Sequence, residues 1–95
     1  MAIKILIRRS VSSEKAQILA PLMKKLRALA LEHPGYISGE TLRSIDQPGT
    51  YVVLSTWKDL VCWNAWLNSP ERIEIQAQID ALTGNATQYE VFSNS

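Results

Sequence analysis

Four stretches of strand character separated by two helical patterns, in the order βαββαβ, predict an α+β domain of the ferredoxin-like, split βαβ kind: a four-stranded antiparallel sheet with its helices on one face. Two details sharpen that prediction. The turn Asp46-Gln47-Pro48-Gly49 joins the second strand directly to the third, which makes an antiparallel hairpin. The third strand, TYVVLSTW, carries Tyr51, Val53 and Trp57 on one face and Val52 and Leu54 on the other, so it needs cover on both sides and belongs at the centre of the sheet.

The elements follow in order. Residues 2–9, AIKILIRR, alternate Ile3, Ile5 and Ile7 against Lys4, Leu6 and Arg8 and form the first strand, also central. Ser12 or Ser13 is placed to cap the next helix, whose inner face takes Ile18, Leu22, Leu26 and Leu29 with Leu19 and Met23 beside them. Lys15, Lys24, Lys25 and Arg27 take its wet side, and Pro21 within it predicts a kink or a late restart. His33-Pro34-Gly35 ends the helix. Residues 36–45, more polar and interrupted by Gly39, suit an edge strand with a bulge. After the third strand, Asp59 caps a short helix through Trp63 and Trp66 to Leu67, and Ser69-Pro70 restarts a second one that runs to Leu82 with Ile75, Ile79 and Leu82 inward. Gly84-Asn85 stops it, and residues 87–92, TQYEVF, are the last strand.

Ninety-five residues accommodate one domain, 1–95, with a modest core, and nothing is left over to cover the far face of its sheet. A second copy of the chain is the economical cover, so the sequence predicts a homodimer through the sheet faces. A net charge of +1 provides no basic footprint for nucleic acid or anionic lipid. The apolar run at the N-terminus is broken by Lys4 and ends at Arg8 and Arg9, too short for a signal peptide or a membrane span. Cys62 is the lone cysteine, expected as a small buried apolar residue, and nothing points to an oxidising compartment. The expectation is a cytoplasmic protein without a membrane or nucleic-acid partner.

Metal and nucleophile templates fail quickly. His33 is the only histidine, so neither a His-rich metal site nor a Ser-His pair with a spare exists in one chain, and its place at the helix exit suits capping carbonyls or facing solvent. Gly35, Gly39, Gly49 and Gly84 make no phosphate loop. No cofactor and no metal are expected. What stands out is Trp57, Trp63 and Trp66 within ten positions, with Tyr51 on the strand face of Trp57. Such flat apolar surfaces suit either a packed core or the walls of a pocket for a planar ligand.

The chain resembles the antibiotic biosynthesis monooxygenase family, dimeric α/β-barrel proteins that include cofactor-independent quinol and polyketide oxygenases and haem-degrading monooxygenases. The resemblance covers essentially the whole chain and rests on Pro34-Gly35-Tyr36 before the second strand, Trp57 with the helix after it, Ala65-Trp66-Leu67-Asn68-Ser69, and the short final strand. Many members carry a histidine where this chain has Trp66. The haem-degrading branch has tryptophan there, with an asparagine near the end of the first strand and an iron-ligating histidine further on; those two positions correspond here to Arg8 or Ile7 and to Gln76. Glutamine is a poor axial ligand to iron, so haem degradation is disfavoured.

The activity the resemblance implies is oxygenation, without metal or flavin, of a small aromatic substrate such as a hydroquinone or anthrone. That chemistry needs an apolar pocket and a polar group that stabilises the substrate anion. Trp66, Trp63, Tyr36 and Trp57 are the candidate walls. Arg8 is the candidate anion stabiliser if its side chain turns into the pocket, and Gln76 the candidate to orient an oxygen. Glu40 and His33 are the candidate bases, neither obviously in reach. The alternative is a non-catalytic dimer that binds a small apolar or aromatic ligand, or a structural dimer whose cavity its own tryptophans fill.

Overall fold

A computed structural model describes residues 2–94. Its elements are β1 (Ile3–Ser10), a single 3-10 turn (Ser13–Lys15), α1 (Ala16–Leu31), β2 (Tyr36–Arg43), β3 (Thr50–Trp57), α2 (Leu60–Leu67), α3 (Pro70–Thr83) and β4 (Gln88–Ser93). The strands form one sheet in the order β2-β3-β1-β4, antiparallel at every pairing, so the fold is the ferredoxin-like α+β arrangement with β1 and β3 at its centre. No helix among the described residues is long and apolar enough to cross a membrane.

Register assigns each side chain a face. Ile3 pairs with Trp57, Ile5 with Ser55, Ile7 with Val53 and Arg9 with Tyr51, and on the other side Ile7 pairs with Tyr89. These residues face the helices. Ile3, Ile5, Ile7, Leu19, Leu26, Ala30, Trp57, Trp63, Trp66, Ile75 and Ile79 are all buried in the layer between sheet and helices. Each large aliphatic side chain among them contributes about 1.5–3 kcal/mol on leaving water. The opposite face carries Leu6, Val52 and Leu54, half-buried without any helix above them, with Leu42 and Phe92 exposed beside them.

Several expectations are corrected in detail. The inner stripe of α1 holds Leu22, Leu26 and Leu29 as expected, with Leu19, Met23 and Ala30, whereas Ile18 is exposed and Leu19 takes its place in the core. Neither Ser12 nor Ser13 caps through its side chain: the 3-10 turn precedes the helix, closed by the Lys15 amide donating to the Ser12 carbonyl. The α1 helix continues through Pro21 without the late restart, although the proline lacks the amide that would have bonded the Gln17 carbonyl. The bulge of β2 falls between Tyr36 and Ser38 instead of at Gly39, and the strand ends at Arg43. The hairpin turn closes as expected, the Thr50 amide donating to Gln47 across Pro48 and Gly49, with Gly49 at φ +91° against the carbonyl of Val11.

Candidate ligand pocket

The site starts at the junction of β3 and α2. The Asp59 carboxylate accepts from the Cys62 amide at 2.8 Å and caps α2, which fixes the helix at the exit of the strand. Gly35, at φ +89°, lies so close to Cys62 that a Cβ there would overlap its side chain, and the Lys58 amide donates to the Gly35 carbonyl at 2.7 Å. Trp57 is thereby held beneath α2. Trp63 and Trp66, three residues apart, fall on the same face of that helix and come down on it.

Trp57 is the centre of an aromatic cluster. It stacks on Trp66 at 6.0 Å and 24°, and meets Trp63 at 5.8 Å, Tyr36 at 5.3 Å and His33 at 6.0 Å in edge-on geometry. Its indole N–H donates to the Ser55 hydroxyl at 3.2 Å, so its polar atom is satisfied. Trp57, Trp63 and Trp66 are 1%, 3% and 5% exposed, so the rings fill most of the layer and line what remains of it.

What remains is a pocket with a volume of about 60 Å³, walled by Trp57, Trp63, Trp66, Tyr36, Met23 and Leu26. A dry cavity of roughly 150 Å³ takes a benzene ring, so the inner space admits only a small group, and a larger planar ligand would extend through the open mouth of the pocket. Arg27, exposed on α1, donates to the Gly39 carbonyl at 3.0 Å and ties the helix to β2. Gly39 leaves room for the phenol of the pocket wall, since a Cβ there would stand 2.5 Å from the Tyr36 hydroxyl.

The buried charged member of the pocket is Arg9, 4% exposed, while the charged Arg27 and Glu40 lie at its exposed rim. Its Nη2 donates to Gln76 Oε1 at 3.0 Å, and its buried Nε has no partner. Leaving a buried donor unpaired costs about 1–3 kcal/mol, more for a charged group. Gln76 is itself fixed, its Nε2 donating to Asp80 Oδ1 at 2.8 Å and to Thr87 Oγ1 at 2.7 Å. Nearby Arg72, also buried, donates from Nη1 to the Leu67 carbonyl at 3.0 Å and from Nη2 to the Tyr89 hydroxyl, and lies 5.3 Å from the Tyr89 ring centre. Burial holds the Arg9 guanidinium below its ordinary value, with Tyr89 and Asp80 opposing the shift and Arg72 adding to it. Burial likewise pushes the Tyr89 hydroxyl up, against the pull of Arg72 and Arg9.

Among the residues expected at the site, Trp66, Trp63, Trp57 and Tyr36 all line the pocket. Arg8 does not. It pairs with Val52 and Gln88 on the open face of the sheet, because strand alternation turns it away from Ile7 and Arg9. Gln76 is buried behind Arg9 and reaches the pocket only through it. His33 is half-buried and does not cap with its ring: it lies edge-on against Trp66 at 5.5 Å with a buried, unpartnered Nδ1. Glu40 contributes to the pocket's rim from an exposed position. Cys62 is half-buried.

Arg9, Arg72 and Tyr89 were missed, although two of them carry a signal. Extending the alternation of Ile3, Ile5 and Ile7 by one step puts Arg9 on the inner face, and helical spacing puts Arg72 and Gln76 in one stripe with Ile75 and Ile79. Among the described residues no three His, Cys, Asp or Glu side chains gather in a metal-holding group. The residues here do not fit haem: Gln76 offers no imidazole, and both ends of its amide are occupied.

Fold and pocket together define a ferredoxin-like domain with a tryptophan-walled site between sheet and helices. The chain belongs to the antibiotic biosynthesis monooxygenase family, whose model matches residues 2–78. Among solved structures, a conserved protein from Methanosarcina mazei superposes with a TM-score of 0.92 at 22% identity, covering 100% of this chain and 94% of that one. Rv0793 from Mycobacterium tuberculosis gives 0.88 at 16% identity, over 100% and 96%. SnoaB, a cofactor-independent oxygenase from Streptomyces nogalater, gives 0.85 at 18% identity, over 99% and 93%. No curated protein sequence matches the chain.

Proposed function

We propose that this protein is a cofactor-independent monooxygenase that oxidises a small aromatic, quinol- or anthrone-like substrate with dioxygen. The observation that carries the reading is the buried guanidinium of Arg9 in a pocket whose aromatic walls are Trp57, Trp63, Trp66 and Tyr36. Oxygenation of this kind begins when the substrate loses a proton, and a fixed cation in an apolar site favours the resulting anion. Arg9 takes the role that the sequence suggested for Arg8. Gln76 positions Arg9 by accepting from its Nη2, and the aromatic walls hold the substrate ring. Family membership and the likeness to SnoaB support the reading.

For an anthrone the atoms balance without a further reductant. The ring methylene becomes a carbonyl, dioxygen gives one atom to that carbonyl and the other leaves as water, and all electrons come from the substrate. Metal-free protein in an oxygen electrode is expected to consume dioxygen with a panel of anthrones and hydroquinones above the spontaneous rate. Uptake at the spontaneous rate across the whole panel overturns the reading in favour of a non-catalytic ligand-binding or structural dimer, an alternative favoured by the small volume between the rings.

The same reading includes a homodimer. Leu6, Val52 and Leu54 sit on the uncovered sheet face with Leu42 and Phe92 beside them, an apolar surface that a second copy would cover. Light scattering is expected to give the dimer mass for the wild type and the monomer mass for Leu54→Glu; a monomeric wild type contradicts the proposal.

A further inference from the structure

Two guanidinium groups are buried in the polar end of the helix-sheet layer, and their hydrogen-bond partners are all neutral. Arg9 donates to an amide oxygen, and Arg72 to a carbonyl and a phenol. Arg72 is accommodated: the Leu67 carbonyl ends α2, where the helix dipole is negative, and the Tyr89 ring supplies a π-face. Arg9 is not. The carboxylate whose charge reaches it, Asp80, is exposed and linked through the Gln76 amide, and the Arg9 Nε is left without an acceptor. A guanidinium presents its donors as a planar fork matched to a carboxylate, and this one lines the pocket with part of that fork free.

We propose that the ligand of this pocket is an aromatic acid, whose carboxylate docks on Arg9 as the negative charge that the buried cluster lacks. The proposal rests on the reading of the pocket as a ligand site and adds the substrate class: the negative charge is already present when the molecule binds, before any proton is lost in the reaction. The volume agrees. About 60 Å³ of inner space accommodates a carboxylate, and the ring would then extend toward the open mouth of the pocket, whose lining includes Tyr36, Met23 and Trp66. The Tyr36 hydroxyl, seated over Gly39, and the Ser55 hydroxyl belong to the same pocket lining as additional donors.

The test compares 2-naphthoate with 2-naphthamide, isosteres that differ in charge, by titration calorimetry. Wild-type protein is expected to bind the acid roughly tenfold or more tightly than the amide, the margin of a charge-assisted hydrogen bond over a neutral one. In Arg9→Met the acid and the amide are expected to bind equally. Gln76→Glu, which supplies the counter-charge from within the chain, is expected to do the same while keeping an acceptor for Arg9, and it carries the test should Arg9→Met fail to fold. Equal binding of acid and amide by the wild type, or a preference for the acid retained in the folded variants, overturns the aromatic-acid proposal and leaves the pocket reading intact. Binding of neither compound overturns both.

Discussion

The layer between sheet and helices has two ends built on opposite terms. At one, Trp57, Trp63, Trp66, Tyr36 and His33 meet ring to ring with the Trp57 indole N–H satisfied. At the other, Arg9 and Arg72 are buried among neutral acceptors, and one guanidinium nitrogen has no partner. The first arrangement lowers the free energy of the fold; the second opposes it, since desolvating a cation is unfavourable unless it is fully paired. Departures from self-consistent packing concentrate at functional sites, and the pocket lies where the two ends meet.

Substitutions separate the two ends by size and sign. The largest effect is expected at Trp57: Trp57→Ala should lower the unfolding free energy by about 3–5 kcal/mol in urea titration, since it removes the ring on which the other aromatic side chains rest. Trp66→Ala should fall at the lower part of the same range, about 3 kcal/mol, because its ring sits at the pocket rather than the cluster's centre. A loss much below that would show that Trp66 walls an open cavity. Arg72→Met should cost about 1–3 kcal/mol by leaving the Leu67 carbonyl and the Tyr89 hydroxyl unpaired. Arg9→Met should change stability by less than about 1 kcal/mol or raise it, because an apolar side chain of similar length replaces an incompletely paired charge.

The smallest effect is a pH dependence. Hydrogen bonding to the Cys62 amide holds the Asp59 carboxyl below its ordinary range. Its cap therefore stabilises α2 above the unfolded carboxyl's range and is lost as pH falls through the lower folded value. Thermal melting below about pH 4 should converge for the wild type and Asp59→Ala, and diverge slightly above it. Tyr89 acts in the opposite sense: burial raises its hydroxyl above the unfolded value, so the contribution of the neutral phenol is fully present below about pH 10 and is lost as pH rises from there through the folded value.

The sequence displayed the tryptophan end much better than the arginine end, for physical reasons. Apolar periodicity and turn residues are local signals, so the hairpin at Pro48-Gly49, the Asp59 and Ser69 caps and the central place of β1 and β3 could be read directly. The four aromatic walls came with them. Arg9 was obscured because a charge next to Arg8 reads as the wet end of a strand, even though alternation places it inside. Its pairing with Gln76 joins residues 67 positions apart, and no local pattern encodes such a contact. The start of the α1 stripe escaped for a related reason: Ile18 and Leu19 are adjacent and equally apolar, and packing against the sheet selects Leu19.

The role of the buried cation is tested most directly by anthrone-dependent dioxygen uptake in Arg9→Met, measured alongside its unfolding free energy. The variant is expected to fold, to match the wild type in stability within about 1 kcal/mol or exceed it, and to take up dioxygen only at the spontaneous rate. Wild-type uptake in that folded variant would contradict the assignment, and would mean that the buried cation takes no part in the chemistry.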